Sequence, residues 1–290
     1  MEIQKSFAAS DYGTLYIVPT PIGNLEDMTF RAVRTLQDAV KIAAEDTRNT
    51  KKLLSHFDIH TPLVSYHEHN KHTRENQLIE MLENGEDLAV VSDAGMPGIS
   101  DPGYELIQSA IASNIPVVVL PGPNAALCAL IGSGLETEKF HYYGFLPRKK
   151  KDREQELEDI KSFRSTLVFY ESPHRLKETL KAIQNVLGNR KVAISRELTK
   201  RYEEYIRGDM DEAIEWAETS ELRGEFCIVV EGNKAEILED ELWWSSLSVL
   251  DHVEHYIEKE GMSSKQAIKQ AANDRKLPKR EVYQAYHVEE

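Results

Sequence analysis

The chain has 290 residues, 41% of them hydrophobic and 8% aromatic, enough for a sizeable core and about two domains of ordinary size. Its formal net charge of -14 at pH 7 argues against indiscriminate binding to nucleic acid, which shows as a basic excess. No apolar run approaches the roughly 18 residues of a membrane span, and the start, MEIQKSFAASDYG, lacks the basic and apolar regions of a signal peptide.

Short apolar runs recur along the chain, each ending in turn or polar residues. They are LYIV (Leu15–Val18), VKIAA (Val40–Ala44), LAVV (Leu88–Val91), VVVL (Val117–Leu120), TLVFY (Thr166–Tyr170), VAIS (Val192–Ser195) and FCIVV (Phe226–Val230). Rich in Val and Ile and too short for helices, they read as strands buried on both faces. Helical patterns lie between them. Asp101 with Pro102 reads as a helix cap followed by proline, and Leu106, Ile107, Ala110 and Ile111 form one stripe that Asn114 and Pro116 end. Ser172 and Pro173 repeat the device before Leu176, Leu180, Ile183 and Leu187, and Gly188 closes that helix.

Strand and helix alternate, which predicts an α/β fold with largely parallel sheets. The loop Pro121–Asn124 and the stretch IGSGLETEKF (Ile131–Phe140) mark the passage between two α/β lobes. After about Lys234 the strand signal stops, and the tail reads as three short helices resembling a helix-turn-helix. The expected domains are residues 1–122, 123–235 and 236–290.

In α/β sheets, ligands bind beyond the carboxyl ends of the strands. Six loops there are rich in Gly, Pro or charge: PTPIGN (Pro19–Asn24), AEDTRN (Ala44–Asn49), SDAGMPGISDPG (Ser92–Gly103), PGPNAA (Pro121–Ala126), YESPHR (Tyr170–Arg175) and SRELTK (Ser195–Lys200). A shared ligand cleft explains so many in series better than turns alone. Neither GxxxxGK[ST] nor GxGxxG occurs, and the prolines remove N–H donors that a phosphate cradle uses. The expected ligand is therefore not a polyphosphate.

YHEHNKH (Tyr66–His72) places His67, His69 and His72 around Glu68, but HExxH spacing is not met, so no metal is expected. Gly-x-Ser-x-Gly, the hydrolase elbow, is absent. Cys128 and Cys227, each in apolar context, read as buried thiols of a reducing cytoplasm. The carboxylates Glu45, Asp46, Asp93, Glu171 and Glu197, with Arg48, Arg196 and Lys200, fall at the same rim. Helix capping and surface ion pairs account for part of them, and a cationic cofactor with a hydroxyl substrate for the rest. Basic residues gather in PRKKKDR (Pro147–Arg153) and RKLPKR (Arg275–Arg280), where a solvated face competes with an RNA contact. Trp243 and Trp244 suit packing of the tail on the core or a stacking platform equally.

LYIVPTPIGNLEDMTFRA, AAEDTRNT, SDAGMPGISDPG, LPGPNAA, FYESPHRL, RELTK and GEFCIVVEG, in this order from about Gly13 to Gly232, resemble the small-subunit ribosomal RNA 2'-O-ribose methyltransferase I family. That family is of the tetrapyrrole-methylase-like class of S-adenosylmethionine-dependent enzymes. The resemblance implies S-adenosylmethionine bound between two α/β domains and methylation of a cytidine ribose in the decoding region of the small subunit. It also implies a cytoplasmic homodimer without membrane or metal. By similarity, Pro21, Gly23, Ser92, Asp93, Gly95, Met96, Pro97, Ile99, Asn124, Ala125, Tyr170 and Glu225 bind the donor. Met96 stands where the family usually has Thr, a contact expected to run through backbone.

For the chemistry, Glu171, Glu197 and Lys200 are the candidate bases, the lysine only with a depressed pKa, and Arg196 the candidate phosphate holder. Arg148, Lys149, Lys150, Lys276, Lys279 and Arg280, with Lys265 and Lys269, are the expected RNA contacts. A tetrapyrrole methyltransferase is the nearest alternative, although its acceptor needs neither the tail nor the basic loop. A non-catalytic RNA-binding protein leaves the run of cleft loops unexplained, and a nicotinamide dehydrogenase lacks its GxGxxG.

Overall fold

The computed structural model describes residues 3–6, 8, 10–234, 243, 244 and 246–288, and of Lys71, His72 and Val288 the backbone alone. The chain forms two compact units, residues 1–233 and 234–290.

The first unit contains two five-stranded sheets. One comprises β1 (Leu15–Ile17), β2 (Lys41–Ala44), β3 (Leu63–Ser65), β4 (Leu88–Val91) and β5 (Val117–Val119), in the order β3-β2-β4-β1-β5. Every pairing is parallel, with Leu15 opposite Leu88 on one side and Val117 on the other. All four residues of β4 are buried. Ala89 and Val91 join Leu36, Ile42 and Leu54 on one face, whereas Leu88 and Val90 join Leu78, Leu82 and Leu106 on the other. This two-sided burial is why the strands read as continuous apolar runs. Each Leu, Ile or Val among them contributes about 1.5–3 kcal/mol by leaving water.

The helices around this sheet are α1 (Phe30–Asp38), α2 (Thr47–His56), α3 (Lys71–Glu83) and α4 (Tyr104–Ala112). Local chemistry starts two of them: the Thr29 hydroxyl accepts the Ala32 N–H at 3.0 Å, and the Asp46 carboxylate accepts the Arg48 N–H at 2.8 Å. Asp101 does not cap α4 as the Asp-Pro pair predicts. The N-cap falls two residues later on Gly103, whose φ of 140° and close approach to the backbone of Gly98 disfavour a side chain.

The second sheet comprises β6 (Phe140–Phe145), β7 (Thr166–Glu171), β8 (Lys191–Arg196), β9 (Glu204–Asp209) and β10 (Phe226–Val230), in the order β6-β7-β10-β8-β9. Only β6 and β7 pair in parallel; the other three pairings are antiparallel. The expectation of largely parallel sheets fails here because β10 inserts between β7 and β8 and runs against both. Ile228 sits opposite Phe169 on one side and Ile194 on the other.

Three helices serve this sheet on one face: α6 (Lys150–Ile160), α7 (Leu176–Leu187) and α8 (Met210–Thr219), which bury Leu157, Leu180, Ile183 and Ala213 against Phe169 and Ile228. On the other face α5 (Ala125–Ser133) packs Ala126, Ala129 and Leu130 on Val168, Cys227 and Val229. Ser172 and Pro173 lie before α7 without capping it, since its N-cap is Arg175. Cys227 is buried, as read from its context, but Cys128 is exposed on α5 because the sheet takes only one face of that helix.

The second unit is a small helical core of α9 (Val249–Glu258), α10 (Ser264–Asp274) and α11 (Lys279–Val288) around Val253, Ile268, Ala271 and Val282. Trp243 and Trp244 pack against residues of this unit, Trp243 against His252, His255 and Tyr256 while half exposed. Trp244 stacks on His252 at 5.2 Å, and Arg275 lies over the Trp244 ring at 5.0 Å while donating to the carbonyls of Trp244, Leu247 and Ser248. Among the described residues, no helix is long and apolar enough to cross a membrane.

Candidate active site

A cavity of about 340 Å³ opens in the first unit where the loops of the two sheets meet, a size suited to a small organic ligand. From the first sheet, the chain leaves β4 at Ser92, which is buried. The Thr20 hydroxyl donates to the Ser92 carbonyl at 3.1 Å, and Thr20 and Gly95 exchange two backbone hydrogen bonds of 2.9 Å. Gly95, at φ 76°, turns the chain there so that Ala94, Gly95 and Met96 face the cavity. Ile99, Ser100 and Asp101 continue the wall, with the Ser100 hydroxyl 2.6 Å from that of Tyr142.

The second sheet supplies the opposite wall. Asn124 caps α5, its side chain accepting the Leu127 N–H at 3.0 Å. Tyr170 packs edge-on against Tyr142 and Phe145, with centroids 5.3 and 5.7 Å away. Burial pushes the Tyr170 phenol well above its ordinary range, so it stays protonated.

Of the residues expected to bind the donor, Gly95, Met96, Ile99, Asn124, Ala125, Tyr170 and Glu225 line this cavity together, as does Glu171. Ser92 lies beneath the wall as a support, and Pro97 is not part of the lining. Pro21, Gly23 and Asp93 line instead a smaller neighbouring cavity of about 260 Å³, shared with Thr20, Asn49 and Lys52.

The expected bases are all engaged. Glu171 is buried and accepts from the Ser172 N–H and the Thr179 hydroxyl, each at 2.7 Å, with Arg175 3.5 Å away. Glu197 accepts from Lys200 at 3.0 Å and from the Glu225 N–H at 3.2 Å, and it lies outside the lining. Burial lowers the Lys200 pKa, but the Glu197 and Glu225 carboxylates outweigh it and the net direction is up. The condition for a neutral lysine base is therefore not met. Arg196 is held by Glu204 and the Arg223 carbonyl, both at 3.1 Å.

Asp101, Ser100, Phe145, Ser195 and Leu198 also line the cavity and were not singled out from the sequence. For Asp101 the signal was present, a carboxylate in a strand-end loop, but the Asp-Pro pair reads as a helix cap. Burial, with Glu45 and Asp93 adding like charge, raises the Asp101 pKa to about 7. Burial also raises Glu45, whereas Arg48 holds Asp46 down at about 2. Among the described residues, the cavity lining carries three carboxylates, Asp101, Glu171 and Glu225, and no lysine or arginine. Such a wall disfavours phosphate and favours a ligand with positive charge and apolar surface.

Arg148, Lys149 and Lys150 are exposed at the start of α6, but Arg153 turns inward and pairs with Glu178 at 3.6 Å, so the basic run is only partly a surface. Lys276, Lys279 and Arg280 are exposed on the helical unit. The His67 and His69 rings meet edge-on at 6.0 Å, and among the described residues no three His, Cys, Asp or Glu are placed to hold a metal. The His72 side chain lies outside the described residues.

This two-sheet unit with its cavity at the strand ends has known counterparts. Residues 14–214 match the family model of the Tetrapyrrole (Corrin/Porphyrin) Methylases. Among solved structures, a cobalt precorrin-4 methyltransferase superposes with a TM-score of 0.57 at 16% identity, covering 75% of this chain and 94% of its own. A uroporphyrin-III C-methyltransferase from Thermus thermophilus, complexed with S-adenyl homocysteine, superposes with a TM-score of 0.54 at 18% identity, covering 75% and 97%. At these identities the likeness concerns the fold alone.

Curated relatives are far closer in sequence. The ribosomal RNA small subunit methyltransferase I of Halalkalibacterium halodurans is 60% identical over the full length of both chains. That of Bacillus subtilis is 57% identical over 99% of each. The chain belongs to the ribosomal RNA small subunit methyltransferase I family.

Proposed function

We propose that the protein transfers a methyl group from S-adenosylmethionine to the ribose 2'-hydroxyl of a cytidine in the decoding region of small-subunit ribosomal RNA. Membership in the family supports methyl transfer to ribosomal RNA. The observation that carries the choice of donor is the cavity wall, with its carboxylates, its bare backbone at Ala94–Met96 and no lysine or arginine. The fold shared with a methyltransferase complexed with S-adenyl homocysteine supports the same choice.

When bound, S-adenosylmethionine supplies a methyl group already activated by its sulfonium. Met96, Ile99, Phe145 and Tyr170 exclude water from the donor, and the backbone of residues 94–96 and 224–225 holds its polar edges. In this reading, residues 1–122 supply one wall and 123–235 the other. Positioning of donor and acceptor contributes up to about 7–11 kcal/mol of the barrier reduction. Arg148, Lys149, Lys150, Lys276, Lys279 and Arg280 contact RNA phosphates, which lets an acidic protein approach an accessible single-stranded nucleotide. The active form is a cytoplasmic homodimer.

The test is methyl transfer from labelled S-adenosylmethionine to small ribosomal subunits isolated from cells lacking this gene, with the labelled nucleoside identified. A 2'-O-methylated cytidine is expected. Donor binding with no label entering the RNA would reject the acceptor and make tetrapyrroles the next substrates to assay.

A further inference from the structure

The loops after β2 and β4 carry four carboxyl groups, Glu45, Asp46, Asp93 and Asp101; Glu45 and Asp93 are close enough to act on Asp101, which lines the cavity. Three are committed within the protein. Asp46 caps α2 and pairs with the Arg48 guanidinium at 2.6 Å. Asp93 accepts the Asp46 N–H and the Asn49 side chain, both at 3.1 Å, and Glu45 accepts the Asp93 N–H at 3.4 Å. Asp101 lines the cavity and, among the described residues, its carboxylate makes no hydrogen bond.

The other two carboxylates of the wall are engaged. Glu171 is buried and has both oxygens taken up by Ser172, Thr179 and Arg175, and Glu225 is largely exposed and held by the Lys200 ammonium at 3.2 Å. A proton acceptor for the reaction has to keep a lone pair open to the cavity and within reach of an entering hydroxyl. We propose, resting on the reading above, that Asp101 is the catalytic base that takes the proton from the acceptor ribose hydroxyl.

In that step the Asp101 carboxylate accepts the hydroxyl proton as the oxygen–carbon bond forms and the carbon–sulfur bond breaks. Sulfur keeps the bonding electron pair, so the sulfonium becomes a neutral thioether. The carboxylic acid then loses its proton to water, and no oxidant or reductant is needed. A pKa of about 7 suits a base working near neutrality, since enough carboxylate is present and its proton affinity is not too low. The charged and titratable groups facing Asp101 are Glu45 and Asp93 from the first sheet's loops and Tyr142 from β6. Glu171 and Glu225 lie across the cavity.

The experiment compares Asp101→Asn with wild type in the full chain, using small subunits from cells lacking the gene. It reads kcat across pH at saturating donor and RNA, and donor affinity by calorimetry. The expected result is a kcat lower by about 10²–10⁴-fold at saturating donor, with donor binding retained. Wild-type kcat falls on the acid side, and that limb is absent from the residual activity of the variant. Retained donor binding also certifies that the variant is folded. Two results would overturn the proposal. One is a kcat within about threefold of wild type. The other is donor affinity reduced by about tenfold or more with kcat kept at saturation, which would make Asp101 a contact for the donor's positive charge. Failure of the underlying reading looks different: wild type itself then places no methyl on the ribose.

Discussion

The Tyr170 hydroxyl accepts the backbone N–H of Ala126 at 3.1 Å, tying the end of β7 to the first turn of α5. This N–H is one of the donors that a helix start leaves without an intrahelical partner, and Ala126 is buried. Tyr170→Phe keeps the ring against Tyr142 and Phe145 but strands that donor. The expected cost is about 1–3 kcal/mol, seen as a fall in Tm of about 2–4 °C for each kcal/mol. An unchanged melting curve would mean that water replaces the phenol.

Lys200 separates a structural cation from a base. Arginine still pairs with Glu197 and Glu225 but cannot accept a proton at neutral pH. Lys200→Arg is therefore expected to keep kcat within about threefold of wild type, measured with labelled donor and small subunits. Collapse of activity in this variant alone would return the base to position 200.

At the start of α6, Lys149, Lys150 and Lys151 oppose the helix dipole, which favours negative charge at that end. Replacing Arg148, Lys149 and Lys150 together by Ala is expected to leave Tm unchanged or slightly raised. If each of the three side chains neutralises a phosphate, the slope of log affinity for RNA against log salt shrinks by about 2. Donor affinity should not move. A salt dependence equal to that of wild type would make this run a solvated face.

His252 sets an acid limit on the helical unit. Burial, and then the adjacent Arg275, hold its pKa below the ordinary 6.5, while Asp274 offsets part of that effect. The Arg275 side chain donates to His252 Nδ1 at 3.0 Å, so the ring is neutral there. The unfolded chain thus binds this proton more readily than the folded one. The contribution to stability is complete above about pH 6.5 and is lost as pH falls from there through the depressed folded value. Fluorescence of a Trp216→Phe background, in which only Trp243 and Trp244 beside the ring report, should show an earlier thermal transition at pH 5 than at pH 7.5. His252→Asn should narrow that difference.

The strands legible in the sequence were those whose burial writes a continuous apolar run, such as Leu88–Val91 and Phe226–Val230. The three that escaped, β3, β6 and β9, are all sheet edges, and their residues are mostly half-buried or exposed. Edge strands carry mixed side chains such as those of His141, Glu204 and Arg207, so no run forms. Strand direction was equally hidden. Alternation of strand and helix correctly makes β7 and β8 run the same way, but nothing local to Phe226–Val230 tells that it slides between them. Cavity residues in Gly-rich loops were legible because bare backbone is itself a signal. Asp101 was not, because one carboxylate beside a proline serves equally well as a cap, and only the N-cap of α4 at Gly103 frees it.

The position of β10 also dictates an order of events during synthesis. The strands of the first sheet all lie between residues 15 and 119, so that half can close while the remainder is still being translated. The second sheet cannot, because its central strand is the last to emerge. Until residue 230 leaves the ribosome, β7 and β8 each present an unpaired row of backbone groups, a few seconds' exposure at about 5–20 residues per second. That interval is when the nascent chain is open to pairing with a neighbour, and it ends only when β10 docks.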